Sequence, residues 1–224
     1  MKLSLLLPVL NYEEALPETI TSVRDATMGE DVEILVVFDV TKPELQSDVE
    51  ALRRDLQERF GARSVVRMDQ RGFGSALRCG ASEAKGDLLM PIMADLSGDV
   101  RVIPAMIRRI ESGADVVVGA RYVKGGRTVG VTPKQMLSSM YTRLAGVLTT
   151  VRCGDISNSF KMYRREVWAE VQPTSNSFDL SVELVVKAAA LGYRIDYVPS
   201  TWVNRQVGAS NFRIVREIRN YGRW

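Results

Sequence analysis

The sequence predicts an α/β fold: a Rossmann-like, mostly parallel central sheet flanked by helices. Three observations predict it. Short apolar runs alternate with helical periodicities, the runs stop at polar turns carrying acids, and 46% hydrophobic content over 224 residues is enough for one full core.

Taken in order, Leu3 to Val9, Val32 to Phe38, Ser64 to Met68, Asp87 to Met93 and Asp115 to Val118 are short, apolar and bounded by Gly, Pro or charge, so they read as strands. Between them Leu45, Val49, Leu52, Leu56 and Phe60 recur at helical spacing, as do Val102, Met106, Ile107 and Ile110. Arg71 to Ala76 opens a further helix. From Gly119 the regularity breaks. A glycine-containing loop (Tyr122 to Pro133) precedes a helix near Lys134 to Leu148 and a polar turn at Asp155 to Ser159. A short strand at Phe160 to Tyr163, a helix from about Phe178 to Leu191 and a strand near Arg194 to Val198 follow. The second half is therefore expected to extend the same sheet, with residues 1–210 as a single domain and 211–224 as a basic amphipathic terminal helix.

Composition excludes several chemistries. There is no histidine, which removes Ser-His triads and histidine-ligated zinc. Cys79 and Cys153 make neither a disulfide framework nor a metal cluster, so a reducing, cytoplasmic setting is expected. No stretch approaches the roughly 18 apolar residues of a membrane span, and the opening MKLSLLLPVL reads as a buried strand rather than a leader. The net charge of +3 is uneven: residues 201–224 carry five arginines against Glu217, leaving the first 200 residues about neutral. A nucleic-acid reading would need a basic stripe interleaved with stacking aromatics on the main fold, and the sequence has neither.

Candidate functional residues lie where strands end, because ligands of open parallel sheets bind outside the carboxyl ends of the strands. Asp95 ends the fourth strand. It is read either as substrate-facing or as the cap of the helix starting near Val100, with Asp99 the better cap. Asn11 follows the first strand and Asp39 the second; both offer hydrogen bonds to a nucleotide, and both also suit ordinary turn chemistry. Arg71-Gly72-Phe73-Gly74 opens a helix whose N–H groups suit a phosphate, but it lacks the full dinucleotide and P-loop spacings.

The ordered set LLPVLNYEE, VVFD, RGFGSALRCG, MADLSGD, VVGARYVKGG, DISNSFKMYRREV, FDLSVELVVKAAALGYRI and RQVGASNF resembles family 2 glycosyltransferases of the GT-A fold, in particular the dolichol-phosphate mannosyltransferase and polyprenyl-phosphate branch. The likeness runs along nearly the whole chain. It implies that Pro8, Asn11 and Tyr12 hold the nucleotide base and that Asp39 is the acid after the second strand; Arg71 and Gly72, at the helix start that suits a phosphate, are read as nucleotide-binding beside them. Asp95 matches the second carboxylate of the family's Asp-Ala-Asp, which holds Mg2+ or Mn2+ on the donor diphosphate. Arg121 matches a basic residue near the donor or acceptor phosphate, Arg127 is a further arginine able to neutralise phosphate, and Ser157 lies in a turn usually reading Asp-x-Thr-Ser-Gly-Phe. Asp179 and Glu183 match acids beside the acceptor, and Arg205 and Ser210 match a loop closing over phosphate.

The chain departs from that pattern. Met93 stands for the first acid of the metal pair, Phe38 for the first of the usual Asp-Asp, Tyr12 for a common Glu and Asn211 for a common Lys. Diphosphate neutralisation by a metal on Asp95 or by arginines alone therefore both remain open. A lipid monophosphate acceptor, with a second ionisation near pH 6, needs little base help, whereas a hydroxyl acceptor would draw on Asp179 or Glu183; both acids are alternatively solvated positions at a helix start. In the C-terminal segment Arg216, Arg219 and Arg223 share one helical face and Ile214, Val215, Ile218 and Tyr221 the other, which suits either a membrane surface or docking on the domain. The expectation is an inverting hexosyltransferase taking a GDP-mannose or UDP-glucose type donor to polyprenyl or dolichyl phosphate, cytoplasmic and peripheral at the inner membrane face. A saccharide or hydroxyl acceptor and a silent nucleotide-sugar module are the alternatives.

Overall fold

A computed structural model describes residues 1–68, 72–130, 133–148, 151, 153–203 and 219–224, with backbone only at 133–135, 137 and 145–148. Its strands are β1 (Leu3–Leu10), β2 (Val32–Val40), β3 (Arg63–Met68), β4 (Leu88–Pro91), β5 (Val116–Ala120), β6 (Arg127–Val129), β7 (Lys161–Arg164), β8 (Ile195–Pro199) and β9 (Thr201–Val203). The helices are α1 (Leu16–Ala26), α2 (Gln46–Phe60), α3 (Phe73–Glu83), α4 (Ile103–Glu111), α5 (Pro133–Leu148), α6 (Arg165–Val171) and α7 (Leu180–Ala190).

β1 is apolar along nearly its whole length because it lies between two parallel neighbours and is covered on both faces. Its period of two divides the core. Leu5 and Leu7 pack with α1, α2 and α4, while Leu6 packs on the opposite side with α3, α6 and α7. Pro17 and Pro104 sit in the first turns of α1 and α4, where a missing N–H costs nothing. Gly61 ends α2 in the left-handed conformation at φ 60° and sends its N–H back to Gln57 O.

The seven-stranded sheet runs β3-β2-β1-β4-β7-β5-β8, with β7 antiparallel to both its neighbours and the other pairs parallel. The second half does extend the first half's sheet, as expected. Consequently the carboxyl ends of β1, β2, β4, β5 and β8 share one edge. A parallel pair of three-residue strands, β6 and β9, stands beside it and is tied to the β4 turn by a bridge between Gly98 and Trp202.

Some expectations are corrected. β4 stops at Pro91 rather than Met93, since Ile92 N–H is the last to bond β1 (2.9 Å to Leu6 O) and the chain then turns. The glycine-containing loop holds β6, too short for a periodic signal. Asp99 occupies the cap position of a 3-10 turn (Val100–Val102) yet makes no side-chain cap; its carboxylate instead takes Arg101 at 2.8 and 3.1 Å. The boundary at 210 and most of the terminal helix lie outside the described residues.

Candidate active site

The edge is assembled from turns that fix one another. Asn11 holds φ 60°, a conformation its short polar side chain tolerates, and its Oδ1 accepts from Thr41 N (2.7 Å) and Thr41 Oγ1 (3.1 Å). With Asn11 N–H donating to Asp39 O at 2.8 Å, the ends of β1 and β2 are locked together. Asn11 is therefore a positioning group here, while Pro8 is half-buried and Tyr12 is exposed beside it.

Asp39 is buried and engaged. Arg67 Nε donates to Oδ1 at 2.6 Å; its Nη2 lies equally close to that oxygen but without hydrogen-bond alignment. Burial pushes the Asp39 carboxyl above its ordinary value, against the opposing pull of Arg67 and of the Gly72 N–H. A nucleotide base would meet this pair rather than a lone acid. Sequence reading missed Arg67, which carries no motif of its own.

The glycines of Arg71-Gly72-Phe73-Gly74 have a packing cause. A Cβ on either would come within 2.5 Å of backbone oxygens, Asn176 O for Gly72 and Ser175 O for Gly74. Gly74 N–H donates to Asn176 O at 3.0 Å, Phe73 stacks on Phe178 at 4.6 Å, and Arg78 donates to Thr174 O and Asn176 Oδ1. The start of α3 is thus tied to the 174–177 loop, and its glycines are required by that packing whatever else the turn binds. Arg71 itself, like Arg205 and Ser210, lies outside the described residues.

Asp95 is half-buried at the turn after β4, with Oδ1 accepting Ser97 N–H at 3.1 Å. It does not cap the following 3-10 turn. Ser97 is 2% exposed and, among the described residues, its Oγ has no hydrogen-bond partner. A hydroxyl in that state two residues from a half-buried carboxylate is open to a polar ligand, an ion or water. Behind the turn a cavity of about 510 Å3 is lined by Thr19, Met93, Ser97, Asp99, Thr201 and Val203, and Asp95 is not part of its wall.

The β5 end is built around ions. Arg121 is buried and grips Asp155 through Nε (2.6 Å), Nη2 (3.0 Å) and its own backbone N–H (3.2 Å). Asp155 outweighs the burial that opposes the charge and holds the guanidinium above its ordinary value. Ser157 Oγ accepts from Arg121 Nη2 at 3.1 Å and meets Ser138 Oγ of α5 at 2.6 Å. Arg121 also lies over the rings of Tyr122 and Trp202, at 4.8 and 5.6 Å. Trp202, also missed in the sequence, links this cluster to the Asp95 turn through its bridge to Gly98. Arg127 is exposed on β6, apart from the cluster's hydrogen bonds.

Beneath the Asp155 turn, Lys161 is fully buried, and its Nζ donates to Ile156 O (2.8 Å), Ser181 O (3.0 Å) and Asn158 O. Burial lowers its pKa to about 8. Asp179 and Glu183 are not solvated: they are 2% and 0% exposed. Asp179 accepts from Ser175 Oγ (2.8 Å) and Trp224 Nε1 (3.2 Å). Glu183 accepts from the backbone N–H groups of Thr174 and Ser175 and from Lys187 Nζ (2.6 Å). Burial works to raise the Glu183 carboxyl, but these donors outweigh it and hold it below 4.5. Both acids thus organise the 174–177 loop.

Among the described residues no cluster of three or more acids or cysteines is arranged to hold a metal. The Met93 thioether is a poor partner for a hard cation. Asp95 and the Ser97 hydroxyl fit one only if a ligand's own oxygens complete the shell.

The chain is 28% identical over its whole length to a dolichol-phosphate mannosyltransferase of Pyrococcus furiosus and 26% identical over 97% of its length to an undecaprenyl-phosphate 4-deoxy-4-formamido-L-arabinose transferase of Klebsiella pneumoniae. It spans 64% of the length of each. Its fold is that of glucosyl-3-phosphoglycerate synthase from Mycobacterium tuberculosis, solved with Mn2+, UDP and glucosyl-3-phosphoglycerate: TM-score 0.65 at 18% identity, over 99% of this chain and 76% of that one. The GT-A architecture that the motifs implied is thereby shown. Residues 4–171 match Glycosyl transferase family 2, and the chain belongs to that family.

Proposed function

We propose that the chain is the catalytic domain of an inverting glycosyltransferase that moves a hexose from a GDP-mannose or UDP-glucose type donor to polyprenyl or dolichyl phosphate at the cytoplasmic face of a membrane. Its relatives with polyprenyl-phosphate and dolichol-phosphate names align with 97% or more of it. The observation that carries the choice of acceptor is the state of the acids. Asp39, Asp155, Asp179 and Glu183 are all buried and held by internal donors, and the chain has no histidine. Such a site suits a nucleophile that is already ionised. A phosphate monoester, with its second pKa near 6, is one; a sugar hydroxyl is not.

In this reading the sugar donor lies along the β1, β2 and β4 ends, with Asn11 fixing the floor, the Asp39–Arg67 pair beside the base and Asp95 at the diphosphate. Asp95 and Ser97 would hold Mg2+ or Mn2+ together with diphosphate oxygens and water, and such a cation, when bound, stabilises the leaving diphosphate. Arg121 acts as a positioning residue, its charge committed to Asp155 and its plane to Trp202. The Ser157 turn then presents the acceptor phosphate on the side away from the leaving group.

The test is transfer of radiolabelled hexose from each donor into solvent-extractable polyprenyl phosphate. Asp95→Asn is expected to lower transfer by at least about a hundredfold with an unchanged melting temperature. Full activity in that variant removes Asp95 from the mechanism. Nucleotide-sugar binding without turnover on lipid or saccharide acceptors would instead make the chain a silent binding module.

A further inference from the structure

Strand β7 carries a residue that burial opposes. Phe160 and Met162 enter the core on one side of the sheet and Tyr163 on the other; Lys161, on the Tyr163 side and opposite Val118 in the register with β5, is 0% exposed. Among the described residues its hydrogen-bond partners are three backbone carbonyls, Ile156 O at 2.8 Å, Ser181 O at 3.0 Å and Asn158 O, and none is a carboxylate. A desolvated ammonium without an opposite charge is destabilising, and a methionine of similar reach would fill the place without that penalty. Its presence therefore calls for a task.

The carbonyls define the task. Ile156 and Asn158 flank Ser157, whose hydroxyl meets Arg121 Nη2 at 3.1 Å and Ser138 Oγ at 2.6 Å. In a trans peptide the C=O and the N–H of the next residue point in opposite directions. Drawing the Ile156 and Asn158 carbonyls to one ammonium therefore turns the N–H groups of Ser157 and Ser159 away from the core, and both residues are half-buried rather than sealed. Backbone donors so aligned suit an anion. Asn158 Nδ2, donating to Gly119 O at 2.6 Å, ties the same turn to β5, and Ser181 O ties it to the first turn of α7. Charge acts in the same sense: Arg121 and Asp155 neutralise each other, which leaves the Lys161 charge to the turn above it.

We infer that Lys161 is the positioning residue of the acceptor seat: it holds the carbonyls on either side of Ser157 in the core, keeps the Ser157 and Ser159 N–H groups directed to the acceptor phosphate, and supports that phosphate with a buried positive charge. The inference rests on the lipid-phosphate reading above and adds the residue on which acceptor affinity depends. An ammonium has three protons for three carbonyls, whereas a neutral amine has two and turns a lone pair on the third. Burial lowers the Lys161 pKa to about 8, so the seat loosens as pH rises past that value. The groups facing Lys161 are Arg121 at the end of β5 and Cys153 and Asp155 in the loop before the turn. From α7 it meets Ser181 O, while Asp179 and Glu183 of that helix are bonded to Ser175, Trp224, Thr174 and Lys187. Burial pushes the Cys153 thiol above 9 and the Tyr163 phenol well above 10, and Asp155 keeps Arg121 charged. The acceptor phosphate has completed its second ionisation, near pH 6, before this window opens.

The experiment is steady-state transfer of radiolabelled hexose by the full chain to a short-chain, water-soluble polyprenyl phosphate, for wild type and Lys161→Met, from about pH 7 to about pH 9.5. The wild-type acceptor KM is expected to rise about tenfold across that range, with its midpoint near 8, while kcat and the donor KM change less than about twofold. Lys161→Met is expected to show the raised acceptor KM already at the lowest pH and no further rise, with the circular dichroism of wild type. A wild-type acceptor KM that stays flat through pH 8, or an unchanged acceptor KM in Lys161→Met, overturns the inference and leaves the reaction standing. A variant that loses kcat, donor affinity and acceptor affinity together reduces Lys161 to a structural role and overturns it too; if the variant does not fold, the wild-type profile alone decides. No transfer to polyprenyl phosphate at any pH, with transfer to a saccharide intact, overturns the acceptor reading and this inference with it.

Discussion

The two halves of the sheet handle buried charge differently. In residues 3–111 the buried ionic groups sit at strand ends and retain a sliver of solvent: Glu33, Asp39 and Arg67 are 8, 4 and 9% exposed. In residues 116–203 most are sealed under loops, with Asp155, Lys161 and Glu183 at 0% and Asp179 at 2%, and only Arg121, at 8%, is as exposed as the first half's groups. The first half is a regular parallel sheet whose register is fixed by apolar pairing, and its charges sit at strand ends, Asp39 and Arg67 at the carboxyl edge and Glu33 at the opposite one. The second half has an antiparallel strand, short elements and irregular turns, and there the charges hold the turns. Ion pairs of this kind are costly to break and add little net stability over an apolar core, so their value lies in specifying one loop geometry.

The largest expected effect tests that contrast directly. Asp155→Ala strands the Arg121 guanidinium in the interior and should cost about 3–5 kcal/mol in urea unfolding. Asp39→Ala, at the more accessible edge, should cost about 1–3 kcal/mol. Equal losses would erase the distinction. Next, Gly119→Ala drives a Cβ into the Phe160 ring beneath the Asp155 turn, for which roughly 1–3 kcal/mol is expected. The β1–β2 register should be unaffected by it in hydrogen exchange.

The pH dependence of stability sharpens the comparison further. Folding lowers Lys161 from 10.5 to about 8, so between these values the unfolded chain binds more protons and stability should rise as pH rises through the window. Lys161→Met should remove that rise in the melting temperature. Glu183 acts in the opposite region: its lowered carboxyl contributes stability present above pH 4.5 and lost as pH falls below it, and Glu183→Gln should flatten the acid limb. The smallest effect belongs to the first half. Gly61→Ala meets no neighbour and pays only for its left-handed backbone, about 1 kcal/mol.

The same division decides what could be read in the sequence. β1 and β2 were legible because parallel strands covered on both faces must be continuously apolar. Asp95 stood out because an apolar run led into it, although the strand itself stops at Pro91. Arg67, Arg78, Lys161 and Trp202 were not legible, since each has a partner 20 to 104 residues away in the chain, and no local pattern reports such a pairing. The glycines of the 72–74 turn looked like a phosphate cradle for the same reason. Their real neighbour, the 174–177 loop, comes from the other half of the chain.

By itself, then, the chain determined the strands of its seven-stranded sheet, most of its helices, its family and the edge where its candidate site lies, because hydrophobic periodicity and turn residues act over a few positions. Only the tertiary structure decided which acids are committed to internal partners and why the glycines are there. Those outcomes depend on desolvation and close approach between distant segments, and neither exists until the sheet has closed.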